Sequence, residues 1–327
     1  MRRCVLEMET YKWVCRACGR SFWQRFPGIQ PRLRATEPFR RSVCQKHFDG
    51  ISRSRLAERE RVSSATIERW FEWYLKLLAG ERSSRACPQI LGIDEHFFTR
   101  RHGYVTSFCD LKNHKVHDVV LGRSEASLEG YLARLEEKHR VQVVCIDLAA
   151  HYRALVKRHF PQARIVADRF HVIRAVNQHF LACWRELDPI GSKNRGLLSL
   201  LRRHRQNLTP AQQDRLAAYM RDRPELEAIY DFKQRLCDVL LEKGRNQKLA
   251  RRFLRDVAAL RCCGLAPLAQ LGNMLYAWRE EIACMWRFSR NNGITEGFHT
   301  KMEVLQRQAY GFRDFQNYRL RVRVLFS

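Results

Sequence analysis

The chain has 327 residues, 45% of them hydrophobic, which suits one sizeable core with a small accessory module and excludes wholesale disorder. Its charge is the outlier: 60 Lys and Arg against 34 Asp and Glu give a formal +26 at neutral pH. Such a field attracts polyanions and holds them by counterion release, while no apolar run nears the roughly 18–20 residues of a bilayer span, so nucleic acid is the expected partner rather than a membrane.

The start, Met1-Arg2-Arg3-Cys4, has no apolar signal core, so the expectation is a cytoplasmic, nucleoid-associated protein. In that reducing compartment the single cysteines set in apolar patterns (Cys109, Cys145, Cys183, Cys237, Cys284) read as buried thiols. Residues 1–48 hold the one group with ligand-like spacing, Cys15-Arg16-Ala17-Cys18-Gly19-Arg20-Ser21-Phe22, which has the form of a zinc knuckle. Zinc takes four tetrahedral N or S ligands. Cys44 and His47, also two residues apart, are the candidates to complete a Zn2+ site. The alternative is that Cys15 and Cys18 are half of a finger, with Cys44 and His47 as ordinary helix residues.

Residues 49–88 read as a helix-turn-helix region and linker. Ser52 to Arg59 form a first helix, in which Ala57 is small enough for a close crossing. Val62-Ser63-Ser64 makes the turn, with Ser64 as N-cap. Ala65 to Tyr74 form a second helix whose Ile67, Trp70 and Phe71 recur at i, i+3, i+4 for a core. Thr66, Glu68 and Arg69 are left outward to meet a DNA groove. A plain helical hairpin is the ordinary alternative, and the basic flanks favour DNA. Gly80-Glu81-Arg82-Ser83-Ser84-Arg85 looks like a linker.

From residue 89 the pattern changes to strands: Gln89 to Phe98, Gly103 to Asp110 and Val116 to Leu121, with Lys112-Asn113-His114 as a turn. Then come an amphipathic helix (Ser127 to His139), a buried strand (Val141 to Ile146), a short helix (Tyr152 to Phe160) and a strand (Ala163 to Ala167). That order describes an α/β sheet with an antiparallel edge and parallel additions. Residues 89–187 are therefore the first part of a catalytic core, 188–290 an all-α, strongly basic insertion, and 291–327 the completion of the core. Pro210 after Thr209 marks a helix start in the insertion.

Acids are sparse in so basic a chain, and three of them form a separated set. Asp94 lies inside an apolar strand, where an ionised carboxylate is costly unless paired. Asp147 ends the strand Val143-Val144-Cys145-Ile146, and Glu296 follows the turn Asn291-Asn292-Gly293 into a basic helix. Two strand aspartates and a helix glutamate suit two divalent ions about 3.5–4 Å apart at a phosphodiester. Hard oxygen ligands favour Mg2+ or Mn2+. Taken singly, each has an ordinary alternative: a strand-end Asp caps a turn, and Glu296 favours a helix N-terminus.

The motifs Leu91-Gly92-Ile93-Asp94-Glu95, Val144-Cys145-Ile146-Asp147-Leu148, Ala167-Asp168-Arg169-Phe170-His171-Val172, and Asn292-Gly293-Ile294-Thr295-Glu296-Gly297 with Tyr310-Gly311-Phe312 together resemble the bacterial ISL-type insertion-sequence transposases, the ISL three group. The resemblance spans about residues 89–326 in order. It implies an RNase H-like core with an Asp-Asp-Glu triad (here Asp94, Asp147 and Glu296) interrupted by a helical insertion. It also implies cleavage of DNA ends and strand transfer, recognition of terminal inverted repeats by a finger and helix-turn-helix region, and at least a dimer on DNA. Asp147 takes precedence over Asp168 because its strand follows the long helix, as the core's fourth strand should. Asp168 and His171 are then supporting residues. Lys301, Arg307 and Arg313, farther along the chain from Glu296, are candidates for DNA phosphates. The family finger has two Cys pairs where this chain has one clear pair, so the expectation is an N-terminally truncated copy. A catalytically inactive, DNA-binding remnant is the competing function.

Overall fold

The computed structural model describes residues 4–30, 33–82, 86–242, 244, 247–288, 293–309 and 311–327. They fall into two units, Met1–Glu81 and Arg82–Ser327, each described by itself.

In the first unit, β1 (Lys12–Val14) and β2 (Ser21–Trp23) form a short antiparallel hairpin. Three helices follow: α1 (Glu37–Phe48), α2 (Arg53–Glu60) and α3 (Ser64–Arg82). Val43, Leu56 and Ile67, one from each helix, make their buried centre, with Phe39, Ala57, Val62 and Trp70 around it. Ser52 caps α2 by accepting from the Arg55 N–H. The turn between α2 and α3 is made by Arg61 at φ +54°, followed by a Val62 N–H to Ala57 carbonyl bond. Ser63 accepts the Thr66 N–H at 3.2 Å, so the serine one residue before the expected Ser64 caps α3. Helix α1 lies within the stretch read as finger-like, and α3 runs through Gly80 to Arg82, the start of the expected linker. Ser83, Ser84 and Arg85 lie outside the described residues.

The second unit is built on a five-stranded mixed sheet, β3 (Ile90–Thr99), β4 (Gly103–Asp110), β5 (Lys115–Leu121), β6 (Val143–Ile146) and β7 (Arg164–Ala167), in the order β5-β4-β3-β6-β7. The first three strands are antiparallel neighbours, and β6 and β7 add in parallel. This is the antiparallel edge with parallel additions that the sequence predicts. Helix α4 (Glu125–Ala133) is shorter than expected: Ser124 caps it, and the chain leaves it so that Glu136 can bridge Ala86, with Glu137 at φ +53°. Helix α5 is Ala150–His159.

Strand alternation divides the core between the two faces of the sheet. Leu91, Ile93, Phe108, Val144 and Ile146 join one cluster; Phe98, Val105, Cys109 and Cys145 join the other. The second face is covered by α13 (Gly293–Gln308) and α14 (Phe315–Phe326) through Phe298, Met302, Leu305, Phe315, Tyr318 and Val322.

Between β7 and α13 the described helices are α6 (Arg169–Leu187), α7 (Arg195–Arg202), α8 (Pro210–Met220), α9 (Pro224–Leu241), α10 (Gln247–Arg261), α11 (Ala266–Ala277) and α12 (Arg279–Met285). Thr209 and Gln212 form a reciprocal capping box at the start of α8, the helix start read from Thr209-Pro210. This insertion is not a separate body. Leu240 of α9, Phe253 of α10, Leu271 of α11 and Ile282 of α12 share one buried cluster with the sheet. Helices α7, α8 and the facing ends of α6 and α9 form a cluster of their own, including Trp184, Leu201, Leu216 and Tyr230. The expected boundary at residues 290 and 291 lies outside the described residues, as do Asn291, Asn292 and Tyr310. Among the described residues, no helix is long and apolar enough to cross a membrane.

Candidate active site

Strand register brings the acids to one level. Gly92 of β3 pairs in parallel with Cys145 of β6, so two residues farther along each strand Asp94 and Asp147 stand side by side. Ile146 of β6 pairs with Ala167 of β7, and the next residues are Asp147 and Asp168. Three adjacent parallel strands thus present Asp94, Asp147 and Asp168 in a row, at the end where open α/β sheets place function.

Burial makes this row electrostatically demanding. Asp94 is 7% exposed and Asp168 2%. Burial first, then the charges of Asp168, Asp147 and Glu95, pushes Asp94 up to about 7 even though its Oδ1 accepts the Glu95 N–H at 2.8 Å. Burial, then Glu95 and Asp168, raises Asp147 to about 6. Asp147 Oδ1 is buried without a hydrogen-bond partner. Asp168 caps α6 by accepting the Phe170 N–H at 3.3 Å. His171, on the first turn of α6, places Nε2 3.6 Å from Asp168 Oδ2 and 4.0 Å from Asp94 Oδ1. Burial, then Arg174, lowers its affinity for a proton.

Helix α13 covers the face of the sheet that Asp94 shares with Ser107. Thr295 is fully buried and hydrogen-bonds Cys109 of β4, and Phe298 fills the cluster below. Glu296 sits between them on the first turn, with its side chain exposed. The α13 side chain that reaches the row is His299, one turn on, whose Nδ1 is 3.8 Å from Asp94 Oδ2. The structure therefore gathers Asp94, Asp147, Asp168 and His171, and sets Glu296 one helical turn from the histidine that meets Asp94.

Repelling buried carboxylates with an orphaned oxygen suit a hard divalent cation such as Mg2+ or Mn2+, which neutralises them and supplies the missing partner. The donor chemistry of Asp94 and Asp147 fits that ion. Among the described residues no group of three or more His, Cys, Asp or Glu side chains is placed to hold a metal.

Sequence reasoning missed Glu95 and His299 as members of this site. Glu95 accepts from Arg123 at 2.8 Å and from the Tyr152 hydroxyl at 3.3 Å, and its charge raises both aspartates. The signal was present in each case: Glu95 adjoins Asp94, and His299 is three residues after Glu296, on the same helix face.

In the first unit, Cys15 and Cys18 lie in the turn of the β1–β2 hairpin, where Gly19 takes φ +67°. Backbone N–H groups of Cys18 and Ala17 hold the Cys15 thiol below its usual range. Cys44 is buried within α1 and pushed up to about 12 by that burial, so it remains a thiol. His47 Nδ1 lies 2.8 Å from the Ile51 carbonyl oxygen, with its ring edge-on to Phe71. These four are not gathered into a metal-holding group. The Arg69 guanidinium donates to the half-buried Thr66 hydroxyl at 3.1 Å. Lys301 lies over the Phe298 ring at 5.1 Å, Arg307 pairs with Glu303 at 3.3 Å, and Arg313 is exposed.

An α/β protein whose parallel strands carry a row of buried and half-buried carboxylates, on a strongly basic chain, belongs to a definable class: a family model described as Transposase, of the ISL3 type, matches residues 91–322. The chain is a member of the ISL3 family of insertion-sequence transposases. It is 25% identical over 345 residues to the transposase for insertion sequence element IS1001 of Bordetella parapertussis, covering 99% of this chain and 82% of that one. It is also 25% identical over 256 residues to the transposase for insertion sequence element IS1557 of Mycobacterium tuberculosis, covering 69% of this chain and 57% of that one. Among solved structures it is similar to the Drosophila P element transposase strand transfer complex, with 13% identity, a TM-score of 0.44, and coverage of 91% of this chain and 92% of that one.

Proposed function

We propose that the protein is the DNA transposase of an insertion sequence, with an RNase H-like core that cleaves DNA at the element's terminal inverted repeats and joins the freed 3′ ends to a target. The observation that carries this reading is the row of aspartates set by the β3–β6–β7 registers, with α13 docked over it. Asp94, Asp147 and Glu296 are the residues we assign to hold two Mg2+ or Mn2+ ions. When bound, these ions supply Lewis-acid activation of the attacking oxygen and charge stabilisation at the leaving one. The chain's own part is to hold Asp94 and Asp147 in a buried, preorganised line and to bring Glu296 over them on α13. Asp168 and His171 support Asp94 from the neighbouring strand and helix. Lys301, Arg307 and Arg313 offer cations to DNA phosphates, while Thr66 and Arg69 on α3 face a groove as the second helix of a helix-turn-helix. A homo-oligomer on DNA that brings two ends together completes the assignment.

The test supplies Mg2+ and end-containing duplex DNA to wild type, Asp94→Ala and Glu296→Ala. Metal-dependent cleavage lost in both variants is the expected result, and unchanged cutting in either removes that acid from the triad. A second reading, a DNA-binding remnant without catalysis, is favoured by one observation: Glu296 is not gathered with the aspartates into a metal-holding group. That reading predicts end binding by the wild type with no cleavage in Mg2+ or Mn2+.

A further inference from the structure

The face of the sheet under α13 contains a polar chain that the triad does not use. Tyr318 of α14 places its hydroxyl 2.9 Å from His96 Nε2. His96 Nδ1 is 3.2 Å from Ser107 Oγ, and Ser107 Oγ is 3.2 Å from His299 Nε2. The rings of His96 and His299 pack at 4.5 Å, and His299 Nδ1 faces Asp94 Oδ2 at 3.8 Å. Ser107 pairs directly with Asp94 across β3 and β4, so the two share a face. His96, Ser107 and Tyr318 are buried, at 8%, 0% and 0% exposure.

Three proton arrangements satisfy every link, because the Ser107 hydroxyl can accept twice. In one, Tyr318 donates to His96 Nε2, His96 Nδ1–H donates to Ser107, and Ser107 donates to His299 Nε2, which leaves His299 Nδ1–H directed at Asp94. In the other two His299 donates from Nε2 to Ser107, either with every other proton reversed or with Ser107 accepting from both histidines, and it turns a lone pair on a carboxylate oxygen. An ionised Asp94 carboxylate selects the first, since it repels a lone pair turned on it. We infer that His299 is a positioning residue for Asp94: the chain Tyr318–His96–Ser107 fixes its ring and its Nδ1–H tautomer, and that N–H faces Oδ2 of the carboxylate across 3.8 Å, an electrostatic contact longer than a hydrogen bond. The same contact ties the first turns of α13, and with them Glu296, to the strand that carries Asp94. This is the arrangement by which a neighbouring donor orients a carboxylate for a cation, and it rests on the reading of Asp94 as a metal-holding group.

Two measurements test it. Long-range 1H–15N spectra of metal-free protein with 15N-labelled histidine, with His299 assigned by loss of its signals in His299→Asn, should show the neutral Nδ1–H tautomer. The Nε2–H tautomer overturns the inference, with no metal or activity involved. Mn2+ titration followed by electron paramagnetic resonance should show affinity about tenfold or more weaker in His299→Leu. His299→Asn, whose amide N–H takes the place of Nδ1–H, should stay within about threefold of wild type. Equal affinity in wild type and His299→Leu, where Asp94→Ala has lost it, also overturns the inference. If Asp94→Ala keeps its affinity, the metal-ligand reading of Asp94 fails, and the tautomer still decides the relay. If His299→Leu does not fold, Ser107→Ala serves: removing the link should abolish the single tautomer, and retention of a pure Nδ1–H form overturns the relay.

Discussion

Replacing Asp94 by Asn should stabilise the metal-free protein at pH 8, although it removes a residue assigned to catalysis. The unfolded carboxyl titrates near 3.8 and the folded one near 7, because burial and then Asp168, Asp147 and Glu95 oppose its ionisation. The folded state therefore binds more protons than the unfolded state between those values, and stability falls as pH rises through that window. Below about pH 4 almost nothing is lost; above pH 7 the full difference of about three units applies, about 4 kcal/mol at 1.36 kcal/mol per unit. Asn keeps an oxygen for the Glu95 N–H and carries no charge, so Asp94→Asn should recover about 2–4 kcal/mol at pH 8 and less than about 1 kcal/mol at pH 4. Urea denaturation in EDTA at the two pH values measures this. Adding Mg2+ or Mn2+ at pH 8 should raise the wild-type midpoint and leave the variant's nearly unchanged. A gain that is equal at both pH values, or absent at pH 8, refutes the account of Asp94 as a buried, mutually repelled carboxylate.

Glu296→Gln should keep stability within about 0.5 kcal/mol, since the side chain is exposed. Its metal-dependent cleavage of end DNA should nevertheless fall about a thousandfold or more, and cutting within tenfold of wild type would count against the triad. Phe298→Ala should lower stability by about 3–5 kcal/mol by hollowing the contact of α13 with the sheet; a loss under 1 kcal/mol in a urea titration would mean that α13 is not held there. Arg69→Ala should weaken binding to end DNA by about 1–3 kcal/mol in a fluorescence anisotropy titration, and unchanged affinity would place the groove contact on other residues.

Local patterns account for what the sequence determined by itself. Alternating apolar residues and turn signals define the five strands, Thr209-Pro210 starts α8, and the Ile67–Phe71 spacing gives the buried face of α3, because each depends on neighbours a few residues away. The motifs around Asp94, Asp147, Asp168 and Glu296 likewise carry the family. Where the reading slipped, a distant contact had intervened: α4 ends early so that Glu136 can bridge Ala86, a partner 50 residues upstream that no helical pattern reveals. Tertiary structure alone decided that Asp94, Asp147 and Asp168 share one level, since that follows from the parallel registers β3–β6 and β6–β7. It alone decided that α9 to α12 share a buried cluster with the sheet, which composition does not reveal. It also made His299, rather than Glu296, the α13 side chain in contact with Asp94, because the burial of Thr295, Phe298 and Met302 sets the rotation of that helix on the sheet. Sequence thus named the acids and their order along the chain; packing between residues some two hundred positions apart chose which groups meet them.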